Sequence, residues 1–311
     1  MVLLGGESRS DREVEVLLST YNPNHYLVEL LESVRQQTYP YVGLSVRDDG
    51  SQAGARRCVE SLLERYPNAR FSWGENLGPR DSFLTLLSGV HGAASYAAFC
   101  DQDDVWNAEK LEVAVEAIEG LEGPAMYCSA IQLVTSELKP IALHRRCVRG
   151  PAFANALVEN IATGCTIVLN RAAIDLIVSR LPRRAIMHDA WSYLVISACG
   201  TVIYDPEPRV RYRLHDKNAI GVATDLLSEI ARRTRRQCRS GRDRQLTAQA
   251  EELRALFGAE LSVSVLKELA TFLDSASRPI DRLVYSVRGG AFRQRRIDDL
   301  IFRLLYLLRR I

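Results

Sequence analysis

No apolar run in this 311-residue chain approaches the roughly 20 residues that a membrane-spanning helix needs. Met1 to Ser10 is too short and too polar for the hydrophobic core of a secretory leader. The seven cysteines form no Cys-x-x-Cys pair. Cys100, Cys128 and Cys165 sit in apolar stretches, which reads as buried free thiols in a reducing compartment. There is no internal repeat, no low-complexity linker and no recognised nucleic-acid motif. These absences point to a cytoplasmic protein and away from a span, a disulfide scaffold or a nucleic-acid binder.

What is present is ordinary globular composition, 47% hydrophobic and 25% charged, ample for one large core with an appendage. The net charge of +2 hides an asymmetry. Residues 1–220 carry 22 Lys and Arg against 27 Asp and Glu, a balance of −5; residues 221–311 carry 18 against 11, a balance of +7. The last third therefore has different surroundings or a different partner. The expected division is one large domain over 1–221 and a basic helical region over 222–311.

Strand-like and helix-like segments alternate along the first part. Val14 to Thr20 reads as a strand, broken by Tyr21-Asn22-Pro23-Asn24. Leu27, Leu30, Leu31 and Val34 then recur at helical spacing. Val42 to Arg47 is a second strand, ending at Asp48-Asp49-Gly50-Ser51, and Val59, Leu62 and Leu63 mark a second helix. Phe71 to Trp73 is a short third strand. Asn76-Leu77-Gly78 turns into a helix with Phe83, Leu84, Leu86 and Leu87. Tyr96 to Cys100 is a buried strand. This alternation predicts βαβ units and a mostly parallel sheet. Later, Ala125 to Cys128, Ile131 to Val134 and Gly164 to Leu169 read as strands, and His144 to Arg149 as a basic loop. Arg171 to Leu181 reads as a helix. Met187-His188-Asp189-Ala190-Trp191 opens another, running to about Cys199. Val202 to Tyr204 and Val210 to Arg213 read as two closing strands.

Chemistry concentrates at Asp101-Gln102-Asp103-Asp104, directly after a predicted strand. An open α/β sheet binds its ligands at such strand ends. Carboxylates this close repel, and a hard cation such as Mg²⁺ or Mn²⁺ relieves them. An acidic turn capping the next helix accounts for the same spacing. Likewise Asp48-Asp49-Gly50-Ser51 reads equally as a plain turn, Asp189 as a helix N-terminal residue, and Trp191 as core.

Taken in order, Ser19-Thr20-Tyr21-Asn22, Ser33 to Pro40, Asp48 to Ser51, Asn76-Leu77-Gly78 and the acidic cluster resemble a family 2 glycosyltransferase of the inverting, GT-A type. Asp101-Gln102-Asp103-Asp104-Val105-Trp106 is similar to the form found in bacterial rhamnosyltransferases. Thr163 to Thr166, His188 to Trp191 and Tyr212-Arg213-Leu214-His215 fit the same subgroup. The resemblance covers about residues 14 to 221; the tail matches no motif.

The resemblance implies a GT-A, Rossmann-like α/β fold and transfer of a sugar from a nucleoside diphosphate donor. The expected donor-binding residues are Thr20, Tyr21, Asn22, Asp48, Asp49, Asn76, Arg80, Asp101, Gln102 and Trp191. Asp101, Asp103 and His215 are the expected ligands of Mn²⁺ or Mg²⁺, with Asp104 capping the next helix or supporting the site. Asp189 is the expected base that deprotonates the acceptor hydroxyl, with inversion at the anomeric carbon. The favoured donor is dTDP-L-rhamnose and the acceptor a saccharide or lipid-linked saccharide of a surface polysaccharide. A UDP-hexose donor is the alternative, and a silent nucleotide-sugar-binding scaffold a further one.

The tail is basic and amphipathic. Arg232, Arg233, Arg235, Arg236, Arg239, Arg242 and Arg244 form a dense segment. Ile297, Leu300, Ile301, Leu304, Leu308 and Ile311 fall on one helical face. This pattern suits an anionic membrane surface on the inner face of the plasma membrane; packing on the catalytic domain or in a homo-oligomer is the alternative.

Overall fold

The computed structural model describes residues 13–90, 94–144, 147–214, 245–275 and 278–308. His215, Ile311 and the arginine-rich segment from Arg232 to Arg244 lie outside them. Among the described residues no helix is long and apolar enough to cross a membrane.

The elements run in the order β1 (Val14–Thr20), α1 (Tyr26–Arg35), β2 (Val42–Asp48), α2 (Ala53–Leu63), β3 (Ala69–Trp73), α3 (Gly78–Ser88), β4 (Tyr96–Cys100), β5 (Val105–Trp106), α4 (Lys110–Ile118), β6 (Ala125–Val134) and β7 (Pro140–His144). They continue with α5 (Phe153–Ala156), a 3-10 turn at Gly164–Thr166, β8 (Val168–Asn170), α6 (Arg171–Ser179), α7 (His188–Cys199) and β9 (Thr201–Arg213). Four helices follow: α8 (Gln245–Phe257), α9 (Val263–Ser275), α10 (Pro279–Arg288) and α11 (Arg296–Leu307).

The described residues fall into two compact units. The first holds 13–90, 94–144, 162–181 and 200–213; the second holds 147–161, 182–199, 214, 245–275 and 278–308. The second unit thus draws on both sides of residue 221.

The first unit is an α/β layer structure around one sheet of order β3-β2-β1-β4-β8-β6-β9-β5, with β7 on β6. β1 pairs parallel with β2 and β4, and β2 with β3. The far half is mixed: β8 runs antiparallel to β4 and β6, β6 and β9 are parallel, and β5 and β7 are antiparallel additions. Parallel and antiparallel pairings are therefore balanced among the described residues, where alternation alone had implied a mostly parallel sheet. β1 and β4 are buried on both faces, as central strands under helices on each side must be. α1 turns Leu27, Leu30, Leu31 and Val34 inward.

The structure differs from the sequence reading at three places. β6 is one continuous strand, pairing with β9 on both sides of Ser129, whose hydroxyl donates to Ala130 O at 2.9 Å. β9 likewise runs through Pro206 and Pro208; its register against β6 shifts beside Ser129 and Ala130, as expected where prolines withdraw ladder donors. At Gly164–Thr166 the chain coils instead of extending, since both the N–H and the hydroxyl of Thr166 donate back to Thr163 O, at 2.8 and 2.7 Å.

Register brings the site together. Thr20 stands level with Asp48, and Leu18 with Cys100. The ends of β1, β2 and β4 therefore reach one edge, and the segments after them share it.

The second unit is helical. Its core includes Trp191, Tyr193, Leu253, Phe257, Leu269, Phe272, Phe302 and Tyr306. Phe272, Tyr285 and Tyr306 form a ring cluster with centroids 5.1 to 6.0 Å apart. Buried Gln294 joins the 147–161 segment to the tail: its Oε1 accepts from Val148 N (3.0 Å) and Arg149 N (2.6 Å), and its Nε2 donates to Gly150 O (2.9 Å).

Candidate active site

At the exit of β1 the chain must bend sharply, and Asn22 takes a positive φ of 42°, a conformation asparagine tolerates. The Asn22 N–H donates to Ser51 Oγ at 2.7 Å, and its side-chain oxygen accepts from Gln52 N at 3.0 Å. The β1 and β2 exits are thereby laced together. Thr20, fully buried, donates to Asp48 Oδ2 at 3.2 Å, while Asp48 Oδ1 accepts from Ser51 N at 2.9 Å. Gly50 has φ +83°, and a Cβ there would lie 2.8 Å from Asn76 N. The glycine thus lets the turn press against the backbone of Asn76.

Asp49 is buried and fully engaged. It accepts from Leu77 N and Gly78 N, both at 2.9 Å, and pairs with buried Arg47. Arg47 also donates to Ser82 Oγ (3.2 Å) and Glu75 O (3.0 Å). Of the two expected aspartates, Asp49 is therefore a brace between β2 and the start of α3. Arg80 donates twice to Asp81, at 2.7 Å each.

Gln102 forms a two-way clasp. Its side-chain oxygen accepts from Tyr21 N at 2.8 Å, and its amide nitrogen donates to Tyr21 O at 3.2 Å. This ties the acidic segment to the β1 exit and leaves the Tyr21 ring about half exposed, at 51%.

Within the acidic segment, Asp101 and Asp103 are half-buried and Asp104 is fully buried. The grouping differs from the expected Asp101–Asp103 pair. Carboxylate oxygens of Asp101 and Asp104 and Cys165 Sγ lie within 4.8 Å of one another. Asp104 Oδ1 accepts from Arg213 N at 3.0 Å. Its Oδ2 is buried and meets no N–H or O–H donor among the described residues; the Cys165 thiol is its hydrogen-bonding neighbour. Burial, then the charges of Asp103 and Asp101, push the Asp104 carboxyl well above the usual carboxylate range. Burial, then the charges of Asp104 and Asp101, push the Cys165 thiol up as well. A buried carboxylate oxygen that meets only a weak thiol donor, beside a second carboxylate, fits a hard divalent cation. The protonated thiol is a soft, weak third neighbour.

The roles of two charged residues here were not legible in the sequence. Arg213, 1% exposed, donates from Nε to Asp103 O at 3.0 Å, and its Nη atoms reach Ser136 O and Glu29. Its guanidinium carbon lies 4.1 Å from the Tyr26 ring centroid. It holds the acidic segment by main chain and side chain at once. Lys110 is fully buried with its ammonium 3.4 Å from the Trp106 ring centroid; burial lowers its pKa to about 8.

Asp189 and Trp191 belong to the second unit. Asp189, half-buried, sits in the first turn of α7, with Oδ1 accepting from Ala190 N at 2.7 Å. Its neighbour His188 is buried, and desolvation lowers its pKa to about 4, so the imidazole is neutral. Trp191 has no exposed surface, and its ring centroid is 6.2 Å from that of Phe257. It is a core residue here, and no face of it is open to stack on a sugar. Expected metal ligand His215 lies outside the described residues.

Residues 15–175, 161 of the 311, match the domain description Glycosyl transferase family 2. The chain belongs to this family.

As a family 2 chain it has curated relatives of more than one donor type. It is 28% identical over 172 residues to the UDP-Glc:alpha-D-GlcNAc-diphosphoundecaprenol beta-1,3-glucosyltransferase WfgD of Escherichia coli, covering 53% of this chain and 63% of that one. It is 22% identical over 215 residues to the dTDP-rhamnosyl transferase RfbG of Shigella flexneri, covering 66% and 73%. Most of the curated relatives it matches are spanned over less than two thirds of their own length, from 15% to 63%. Among solved structures, Staphylococcus aureus TarS 1-349 in complex with UDP-GlcNAc superposes with a TM-score of 0.52 at 16% identity, over 94% of this chain and 91% of that one. The fold is that of a GT-A glycosyltransferase.

Proposed function

We propose that this chain is an inverting, cation-dependent glycosyltransferase that moves a sugar from a nucleoside diphosphate donor to a saccharide or lipid-linked saccharide in surface polysaccharide synthesis. The observation that carries the reading is the grouping of Asp101 and Asp104, with a buried carboxylate oxygen that meets no N–H or O–H donor among the described residues, at the edge where the β1 and β2 exits are laced together. Family membership supports the same chemistry.

In this reading Asp101 and Asp104 hold Mn²⁺ or Mg²⁺, with Asp103 and His215 as the further candidates. When bound, the cation neutralises the departing diphosphate. The nucleoside lies against Tyr21, Asn22, Asn76 and Arg80, with Tyr21 offering its exposed ring, while buried Thr20 and Asp48 hold the turn behind them. Gln102 positions that ring through the main chain. Asp189 takes the proton from the acceptor hydroxyl, and the single carboxylate suits direct displacement with inversion. A neutral His188 beside it adds no competing positive charge, which leaves Asp189 free to act as a base.

The donor favoured here is dTDP-L-rhamnose, supported by the Asp-Gln-Asp-Asp-Val-Trp segment and by similarity to RfbG over two thirds of the chain. A UDP-hexose is the second reading, supported by the higher identity to WfgD. Release of nucleoside diphosphate from dTDP-rhamnose, UDP-glucose, UDP-N-acetylglucosamine and GDP-mannose, with Mn²⁺, Mg²⁺ or EDTA, separates them. Turnover of dTDP-rhamnose alone, lost in EDTA, is expected; preference for a UDP-sugar removes the rhamnosyl assignment. Asp189→Asn is expected to lower transfer by about a thousandfold while donor binding stays within a few-fold. Near-normal turnover would remove Asp189 from the role.

A further inference from the structure

The outer faces of α10 and α11 are apolar and open. Of the eighteen large apolar side chains exposed among the described residues, eight stand on or just beyond these two short helices. On α10, Ile280, Leu283, Val284 and Val287 recur at i, i+3, i+4 and i+7, each more than half exposed. On α11 and its C-cap, Ile297, Leu300, Leu304 and Leu308 recur at i, i+3, i+7 and i+11, again each more than half exposed. The helices are already anchored on their other side, where Tyr285 and Tyr306 meet Phe272. At 100° per residue, Leu283 and Val287 point away from Tyr285, and Leu304 and Leu308 away from Tyr306. Both stripes therefore turn away from the same ring cluster. The helices also clasp each other, with Arg303 Nη1 donating to Ser286 O at 2.8 Å. The two stripes are held as one unit.

Charge says what covers them. Between residues 278 and 308 the chain has seven arginines and three aspartates, a balance of +4. Asp299 is engaged internally, by Arg303 Nε at 3.0 Å and Arg293 N at 2.9 Å. Arg278, Arg288, Arg295 and Arg296 are exposed. A second copy docking by two-fold symmetry would set this basic rim against itself. The stripes also hold only Ile, Leu and Val, without the aromatic anchors typical of protein contacts. The helices have 10 and 12 residues, so they are about 15 and 18 Å long and lie flat against a bilayer instead of crossing its roughly 30 Å core.

We propose that the outer face of α10 and α11 docks on an anionic lipid surface, with aliphatic side chains in the interfacial layer and arginines at the headgroups. This inference does not depend on the donor or on the reaction.

The test is flotation of the intact chain with phosphatidylethanolamine vesicles containing phosphatidylglycerol, and with phosphatidylcholine vesicles alone. Binding to the anionic vesicles that weakens with added salt is expected. Leu283→Ser/Leu300→Ser is expected to lower the bound fraction about tenfold with melting temperature and nucleoside diphosphate release unchanged. Arg288→Gln/Arg295→Gln/Arg296→Gln is expected to lower it several-fold at low salt. No flotation on either vesicle, or equal flotation of the intact chain and the serine variant, overturns the proposal. So does a concentration-dependent dimer that the serine variant dissolves, which would assign the face to a second copy.

Discussion

Asp104 and Arg213 show how little a residue's type says about its role. Two aspartates side by side, Asp103 and Asp104, look interchangeable in the chain. One is half-buried and offers its main-chain carbonyl to Arg213; the other is fully buried and joins Asp101 and Cys165. Arg213 alternates with apolar residues along β9, a pattern that normally sends a charged side chain to solvent, yet it is 1% exposed because Asp103, Ser136 and Glu29 receive its donors. Replacing it with Met removes these contacts together. Urea unfolding of Arg213→Met is expected to show a loss of roughly 2–4 kcal/mol, below the full cost of breaking a buried pair because Glu29 keeps about half its exposure. His188 gives a pH prediction. Burial lowers its folded pKa to about 4 from the ordinary 6.5, so the unfolded chain binds the proton first. Stability from this group is complete above pH 6.5 and falls as the pH drops toward 4, by roughly 3 kcal/mol in all. His188→Gln is expected to flatten that part of the stability–pH curve measured by chemical denaturation.

At the scale of elements, the site is a consequence of register. β1, β2 and β4 end at one edge, and the segments beyond them are fastened by short polar contacts. Gly50 is the tightest point. Gly50→Ala imposes both an unfavourable positive φ and a Cβ 2.8 Å from a main-chain nitrogen, which cannot swing aside as a side chain would. A destabilisation of about 1–3 kcal/mol is expected, with weaker donor binding as the turn shifts from Asn76. Thermal unfolding and donor titration check the two effects separately. Alternation along the chain located β1 to β4 and α1 to α3 with nearly their observed bounds, because each carries a clean period of apolar residues. β7 and the continuity of β6 and β9 were not legible: they depend on pairing with strands distant in sequence, and polar or proline residues mask the period.

At the scale of the whole molecule, the second unit is assembled from separated segments. Phe257 lies against Trp191, Glu252 accepts from Arg183 N and Arg184 N, and Gln249 accepts from Ile186 N. A chain cut after residue 221 loses all of these partners. Its tryptophan emission is expected to shift to the red and its melting to lose cooperativity relative to the intact protein, measured by fluorescence and calorimetry. Unchanged emission and melting would show that residues 147–161 and 182–199 hold their packing without the tail.

The sequence by itself determined the α/β alternation, the acidic cluster at a strand end and the family. Those signals are local: periods of apolar residues and short motifs that do not depend on what packs against them. Tertiary structure decided which carboxylates group, that Asp49 braces a turn, that Trp191 is core and that one face of α10 and α11 remains open. Each of these turns on burial and on partners brought from elsewhere in the chain, and those exist only once the chain has folded.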